Sequence, residues 1–133
     1  MKQRNLIILR GISGSGKTTF CNLIPDAIVC CADDYFTDKD GNYKWYAEGL
    51  GKAHGYCYNK FVDALGTDKD IIIANVNGKA SDWNKYVDMA KNLGFLITFV
   101  VLENRHGGKD VHNVPEETLQ RQERTIRENL KLR

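Results

Sequence analysis

The sequence predicts a three-layer α/β fold, a parallel sheet of about four strands with helices on both faces. Three observations carry that expectation. Short apolar runs recur at Asn5–Leu9, Ala27–Cys31, Asp70–Ala74 and Phe95–Leu102, separated by stretches of helical period. The runs are apolar at successive positions, as in strands covered on both faces of a parallel sheet. A glycine-rich loop follows the first run and leads into a helical segment.

Each element has a local reason. Asn5–Leu9 is a short apolar run ahead of Gly11–Gly16, where glycine recurs at 11, 14 and 16. Lys17–Ile24 then reads as a helix that Pro25 stops. The second strand, Ala27–Cys31, ends in Ala32-Asp33-Asp34-Tyr35-Phe36, and Thr37–Tyr43 is a polar surface loop turned by Asp40-Gly41-Asn42. Glu48–Leu65 reads as a helix with Leu50, Ala53, Cys57, Phe61 and Ala64 on one side, weakened at its start by Gly49, Gly51 and Gly55. After the third strand, Ser81 is placed to N-cap a helix running to Leu93, with Trp83, Tyr86, Val87 and Ala90 inward and Gly94 as its stop. The fourth strand precedes a glycine- and charge-rich stretch, Asn104–Asn113. Pro115 opens the last helix, with Leu119, Ile126 and Leu130 inward.

At 133 residues the chain is expected to form one domain over 1–133. A net charge of +2 is too mild to argue for nucleic acid by itself, so any basic surface must be local. Cys21, Cys30, Cys31 and Cys57 show no metal-ligand or disulfide spacing, which points to reduced thiols and a cytoplasmic setting. The apolar run near the N-terminus is too short for a signal core or a membrane span, so no membrane partner is expected.

The segment Gly11-Ile12-Ser13-Gly14-Ser15-Gly16-Lys17-Thr18 fits G-x-x-x-x-G-K-[ST] at every fixed position. Glycine allows successive backbone N–H groups to turn inward around phosphate oxygens with no Cβ in the way. The helix that starts at Lys17 adds the positive end of its dipole. Lys17 brings a full charge to the outer phosphates, and the Thr18 hydroxyl suits magnesium. Gly11, Ser13, Gly14, Ser15, Gly16, Lys17, Thr18 and Thr19 are therefore the expected contacts of a nucleoside triphosphate, ATP in the first instance.

Asp33 and Asp34 lie just past the second strand, at the carboxyl edge where open α/β sheets bind ligands. A carboxylate there can orient an acceptor hydroxyl and take its proton during phosphoryl transfer, and Asp33 is the better placed of the two. The competing reading, less favoured beside the glycine loop, is a pair of solvated loop acids or an N-cap for the following turn. Asn75 and Asn77 follow the third strand and are either turn formers or polar groups aimed at phosphate, acceptor or metal-bound water.

Gly11–Thr18, Ala32–Phe36, Asn75-Val76-Asn77 and Lys109–Pro115, in this order, resemble the small P-loop kinases. More narrowly they resemble the 5′-hydroxyl polynucleotide kinase domain of bacteriophage type and its AAA-type relatives. The resemblance implies a four-stranded parallel core, ATP with Mg2+ as donor, and the 5′-hydroxyl of a nucleic acid as acceptor. It implies that Asp33 is the general base; because Ala74 leaves that strand end without an acid, Asp33 would also have to serve the metal, through water. It sets Lys109 where the family's lid has an arginine, with Arg105 available to assist, and Arg121 where the family has an arginine early in the last helix. Two positions depart from the family pattern: Phe36 stands where the phage kinase has an arginine, and Ala74 where relatives carry an aspartate.

Arg105, His106, Lys109 and His112 form a basic loop after the last strand, suited either to closing over a triphosphate or to an ordinary solvated connection. Arg121, Arg124 and Arg127 are either a phosphate-binding stripe or the solvated side of an amphipathic helix, with glutamates interleaved. Tyr43, Trp45, Tyr46, Tyr56 and Tyr58 could stack the bases of a single-stranded acceptor or cover the core. The function expected is transfer of the ATP γ-phosphate to a hydroxyl of a nucleic acid or nucleotide. The alternatives are a kinase of a small molecule or modified base, and a nucleotide-binding module without turnover.

Overall fold

A computed structural model of the protein describes residues 2–105 and 114–131. Among them are four strands, β1 (Asn5–Arg10), β2 (Ile28–Cys30), β3 (Ile71–Ala74) and β4 (Leu96–Val101). There are four α-helices, α1 (Lys17–Asn22), α2 (Leu50–Leu65), α3 (Ala80–Asn92) and α4 (Glu116–Glu128). The strands form one parallel sheet in the order β2-β3-β1-β4, with Leu6 opposite Ile71 and Ile97 and Ile28 also opposite Ile71.

This order fixes where the helices go. The chain crosses the sheet one way from β1 to β2 and returns from β2 to β3 and from β3 to β4, so right-handed crossovers put α1 on one face and α2 with α3 on the other. The packing agrees. Leu6, Ile8, Ile71 and Ile73 meet Ala53, Cys57, Phe61 and Ala64 of α2 and Tyr86 and Ala90 of α3. Leu9, Ile72 and Ala74 meet Cys21, with Phe20 and Ile24 half-buried beside them. The first face is the thicker core; Phe61 and Tyr86 are sealed in it with rings 5.1 Å apart, edge to face, and burying each stabilises by about 2–3 kcal/mol. No helix of the described residues is long and apolar enough to cross a membrane.

Several expectations are corrected. β4 is apolar except for Thr98 but is an edge strand, so Leu96, Phe99 and Val101 stay exposed. Ser81 lies inside α3 rather than capping it; the cap is Lys79, whose N–H donates to Asp82 Oδ2 at 3.2 Å. Leu50 and Leu130 are half exposed instead of inward, Leu130 because α4 ends before it. Pro115 is the N-cap of α4 rather than its first residue.

Helix α4 crosses the carboxyl edge of the sheet. A Cβ on Gly78 would sit 2.8 Å from Thr125 Cγ2, so the absence of a side chain there lets α4 approach the β3–α3 turn. Arg10, at the end of β1 and 5% exposed, ties the same region together. It donates to the carbonyls of Asn77 (2.8 Å), Gly78 (3.0 Å) and Asn129 (3.5 Å) and lies 4.4 Å over the Trp83 ring. Desolvation lowers its pKa, with Asp82 opposing.

Candidate active site

The glycine loop leaves β1 from the interior of the sheet, flanked by β3 and β4. Gly14 and Gly16 take φ of 82° and 101°, values a side chain would strain, and the chain turns there into α1. A Cβ on Gly11 would meet Ser15 Oγ at 2.4 Å, so the loop closes tightly on buried Ser15. Gly11 N–H donates to Val76 O, anchoring the loop to the β3–α3 turn. The Lys17 ammonium lies back along the loop, donating to the carbonyls of Gly11 (2.7 Å) and Ile12 (3.1 Å). Thr18 and Thr19 are exposed in the first turn of α1. Since α1 spans only six residues, the loop's own N–H groups rather than a long helix dipole supply most of the positive field.

Asp33 lies in a 3-10 turn, Ala32–Phe36, just after β2. Its Oδ1 accepts from the Tyr43 hydroxyl at 3.3 Å. The preceding amide, Ala32 N–H, donates to Asn75 Oδ1 at 2.8 Å, so the end of β3 grips the turn. Asp34 is exposed; partial desolvation raises its carboxyl above the ordinary aspartate range, Lys60 opposes, and the Asp33 charge adds. β1 and β2 are separated only by β3, so this turn and the glycine loop share one sheet edge about 10 Å apart.

Asn75 and Asn77, expected on the acceptor side, are engaged elsewhere. Asn75 holds the Asp33 turn, with its Nδ2 on Cys57 Sγ at 3.6 Å. Asn77 is 2% exposed at φ 50°, and its Nδ2 donates to Leu9 O and Ile73 O, joining the ends of β1 and β3. Such a residue cannot reach an acceptor. Arg105 is exposed and pairs with Glu103. Arg121 is exposed on α4, and Arg127 pairs with Glu123 at 3.3 Å, the solvated-face arrangement. Lys109, His106 and His112 lie outside the described residues.

The two departures from the family pattern have structural counterparts. Phe36 is 5% exposed and sits among the rings of Tyr35, Tyr43, Trp45 and Tyr46, where an arginine would be desolvated. Ala74 is 4% exposed in the apolar cluster with Leu9 and Ile72. The aromatic group divides: Tyr58 packs on Phe61 and Tyr86 in the core, whereas Trp45, Tyr46 and Tyr56 remain substantially exposed.

One contact and one cleft gave no sequence signal. Gln122 Oε1 accepts from Ser13 N–H at 3.2 Å, so α4 touches the glycine loop through the neighbour of Arg121. A cleft of about 370 Å3 opens between the loop, the end of β4 and α4, lined by Ile12, Leu102, Arg105, Glu123, Ile126 and Arg127. Only a tertiary arrangement brings those three segments together.

A phosphate-shaped glycine loop and a tethered acid on one edge of a parallel sheet define a kinase-like P-loop domain. The chain belongs to the AAA domain family, whose model matches residues 6–129. It is 29% identical over 117 residues to the uncharacterized protein PM0531 of Pasteurella multocida, an alignment covering 76% of this chain and 65% of that protein, so it spans about two thirds of that relative's length. In solved structures the fold is similar to a chain of the Pnkp1/Rnl/Hen1 RNA repair complex, with a TM-score of 0.71 and 16% identity over 96% of this chain and 45% of that one. It is also similar to the APS kinase CysC of Mycobacterium tuberculosis, with a TM-score of 0.54 and 12% identity over 96% and 99% of the two chains. A gluconokinase from Sinorhizobium meliloti gives a TM-score of 0.55 and 16% identity over 95% and 77%.

Proposed function

We propose that this domain transfers the γ-phosphoryl group of ATP to a hydroxyl of a nucleic acid or nucleotide. The observation that carries the reading is the placement of Asp33, tethered by Tyr43, on the same sheet edge as the Lys17 loop. A separation of about 10 Å leaves room for a transferred phosphoryl group and an attacking hydroxyl between them.

The residue roles follow from position. The N–H groups of Gly14, Ser15, Gly16, Lys17, Thr18 and Thr19 hold the phosphates, with Gly11 and Ser13 shaping the loop. Lys17 exchanges its two carbonyl contacts for phosphate oxygens. Asp33 orients the acceptor hydroxyl and takes its proton, with Asp34 beside it. Arg105, Lys109 and Arg121 supply positive charge around the donor. The cleft beside Ile12 suits the donor's nucleoside. Thr18 and, through water, Asp33 would hold a magnesium ion brought in with the triphosphate. When bound, it neutralises charge on the phosphates.

A second reading keeps the donor and makes the acceptor a small alcohol. It is favoured by the charge balance of the segment from Asp33 to Lys60, the wall around Asp33, where Lys39, Lys44, Lys52 and Lys60 are offset by Asp33, Asp34, Asp38, Asp40 and Glu48 in the sequence. A polyanionic strand gains less from such a surface than from a basic one.

The test is transfer from γ-labelled ATP to a 5′-hydroxyl oligonucleotide and to a panel of small alcohols. Asp33→Asn is expected to lower turnover about a hundredfold while calorimetric ATP affinity is kept. No heat of binding with ATP and magnesium, or turnover unaffected by Asp33→Asn, overturns the reading. Binding without turnover would leave a nucleotide-binding module.

A further inference from the structure

We infer that Tyr43 is a positioning residue for the Asp33 carboxylate, presented to it by a stiff hairpin whose turn Asp38 staples. The inference rests on the reading of Asp33 as the acceptor's base and assigns a role that neither the loop motif nor the family match contains.

The hairpin is built to hold still. Thr37 and Tyr43 form an antiparallel bridge, and Lys44 N–H donates to Phe36 O at 2.9 Å. At the tip, Asp38 Oδ1 accepts from the N–H groups of Asp40 and Asn42, both at 2.9 Å, and Asp38 N–H donates to Asn42 O. Gly41 at φ 83° lets the chain reverse. The tip of this excursion is polar, so its order comes from the Asp38 staple, while Tyr43 at its end packs against the core beside Phe36.

The hairpin delivers the phenol to one place. The Tyr43 ring lies 6.2 Å from the Phe36 ring at 73°, and Phe36 is itself buried. The phenol oxygen lies on the axis of ring rotation, so a ring flip leaves its bond to Asp33 Oδ1 in place, and the Thr37–Tyr43 bridge fixes the backbone from which the ring projects. Asn75 supplies the second tether, on the amide of Ala32. One tether thus holds the backbone of the turn and the other the rotation of the carboxylate.

The chemical consequence is directional. With Oδ1 engaged by Tyr43, Oδ2 takes the acceptor's proton. The acceptor oxygen bonds to the γ-phosphorus as the bond from that phosphorus to the bridging oxygen breaks, and ADP leaves with the electron pair. A base misaligned by a fraction of an ångström loses much of its effect, so a tether outside the reacting atoms changes rate rather than donor binding.

Tyr43→Phe keeps the ring and removes only the hydroxyl. Assays follow γ-labelled ATP with a 5′-hydroxyl oligonucleotide, with phosphate release to water measured in the same reactions. The expected result is turnover about tenfold lower, with KM for ATP and the melting temperature unchanged. In an Asp33→Asn background the same change should cost less than about twofold, since the group it serves is gone. Turnover of Tyr43→Phe within about twofold of wild type, with Asp33→Asn impaired, overturns the inference and spares the kinase reading. A parallel fall in ATP affinity and melting temperature also overturns it, as a structural role would produce that. Asp33→Asn at the wild-type rate, or a wild-type chain that neither transfers nor releases phosphate, removes the base reading and this inference with it.

Discussion

The glycine loop and the Asp33 wall stand on the same edge of one sheet but are assembled differently. Within the loop, Lys17 bonds carbonyls only five and six residues away, and Gly14 and Gly16 set the turn by their own conformations. Asp33 is instead held by Tyr43, ten residues on, and through Ala32 by Asn75, forty-three residues distant. The first is shaped mostly by its own residues, with two distant ties, Gly11 N–H to Val76 O and Ser13 N–H to Gln122 Oε1. The second exists only when β3 inserts between β1 and β2 and brings Asn75 beside the end of β2. Phosphate binding is therefore expected to be robust to distant change, and acceptor chemistry fragile.

The largest test of that contrast is Lys17→Met. Turnover should fall between about a hundredfold and a thousandfold, as for loss of a charge-stabilising donor, while the urea midpoint moves little because the carbonyls at 2.7 and 3.1 Å from the ammonium belong to its own loop. A large loss of stability would show that the loop is not the largely self-contained unit described here.

Asn77→Ala comes next and acts on both regions at once. It deletes two buried hydrogen bonds, from Asn77 Nδ2 to the carbonyls of Leu9 and Ile73, and places a Cβ-bearing, non-bonding residue at φ 50°. A cost of about 2–3 kcal/mol is expected in urea unfolding. Asn77→Gly, which tolerates the backbone, should recover part of it. Equal stability of both variants to wild type would mean that loop and wall are not coupled through this residue.

The remaining effect, confined to alkaline pH, belongs to the wall. Burial pushes the Cys30 and Cys31 thiols up from an ordinary 9.0 to about 12. Below pH 9 both thiols keep their protons whether the chain is folded or not, so they leave stability flat. Between about 9 and 12 the unfolded chain ionises first, binds fewer protons than the folded one, and stability falls as pH rises. Melting temperatures from neutral pH upward should show that decline, and Cys31→Ala should blunt it. A flat alkaline limb would remove these thiols from the account.

Legibility in the sequence followed the range of the interactions. The motif Gly11–Thr18 and the inward residues Ala53, Cys57, Phe61 and Ala64 were visible because four-residue periodicity and glycine spacing are local signals. β4 misled because an apolar run does not reveal whether it lies in the middle or at the edge of a sheet. Phe36 marked a departure from the family pattern, while its burial among four rings emerged only from the packing. Asn75 and Asn77 look alike on paper, two residues apart. One braces the Asp33 turn and the other bolts two strands together.

By itself, then, the order of residues determined a parallel α/β domain with a phosphate-binding loop ahead of its first helix, because those features arise from neighbours along the chain. The tertiary structure alone decided which groups restrain Asp33, that Gln122 reaches Ser13, and that a cleft opens beside Ile12. Each of these needs segments remote in sequence to meet, and their meeting is set by strand order and helix packing rather than by any local preference.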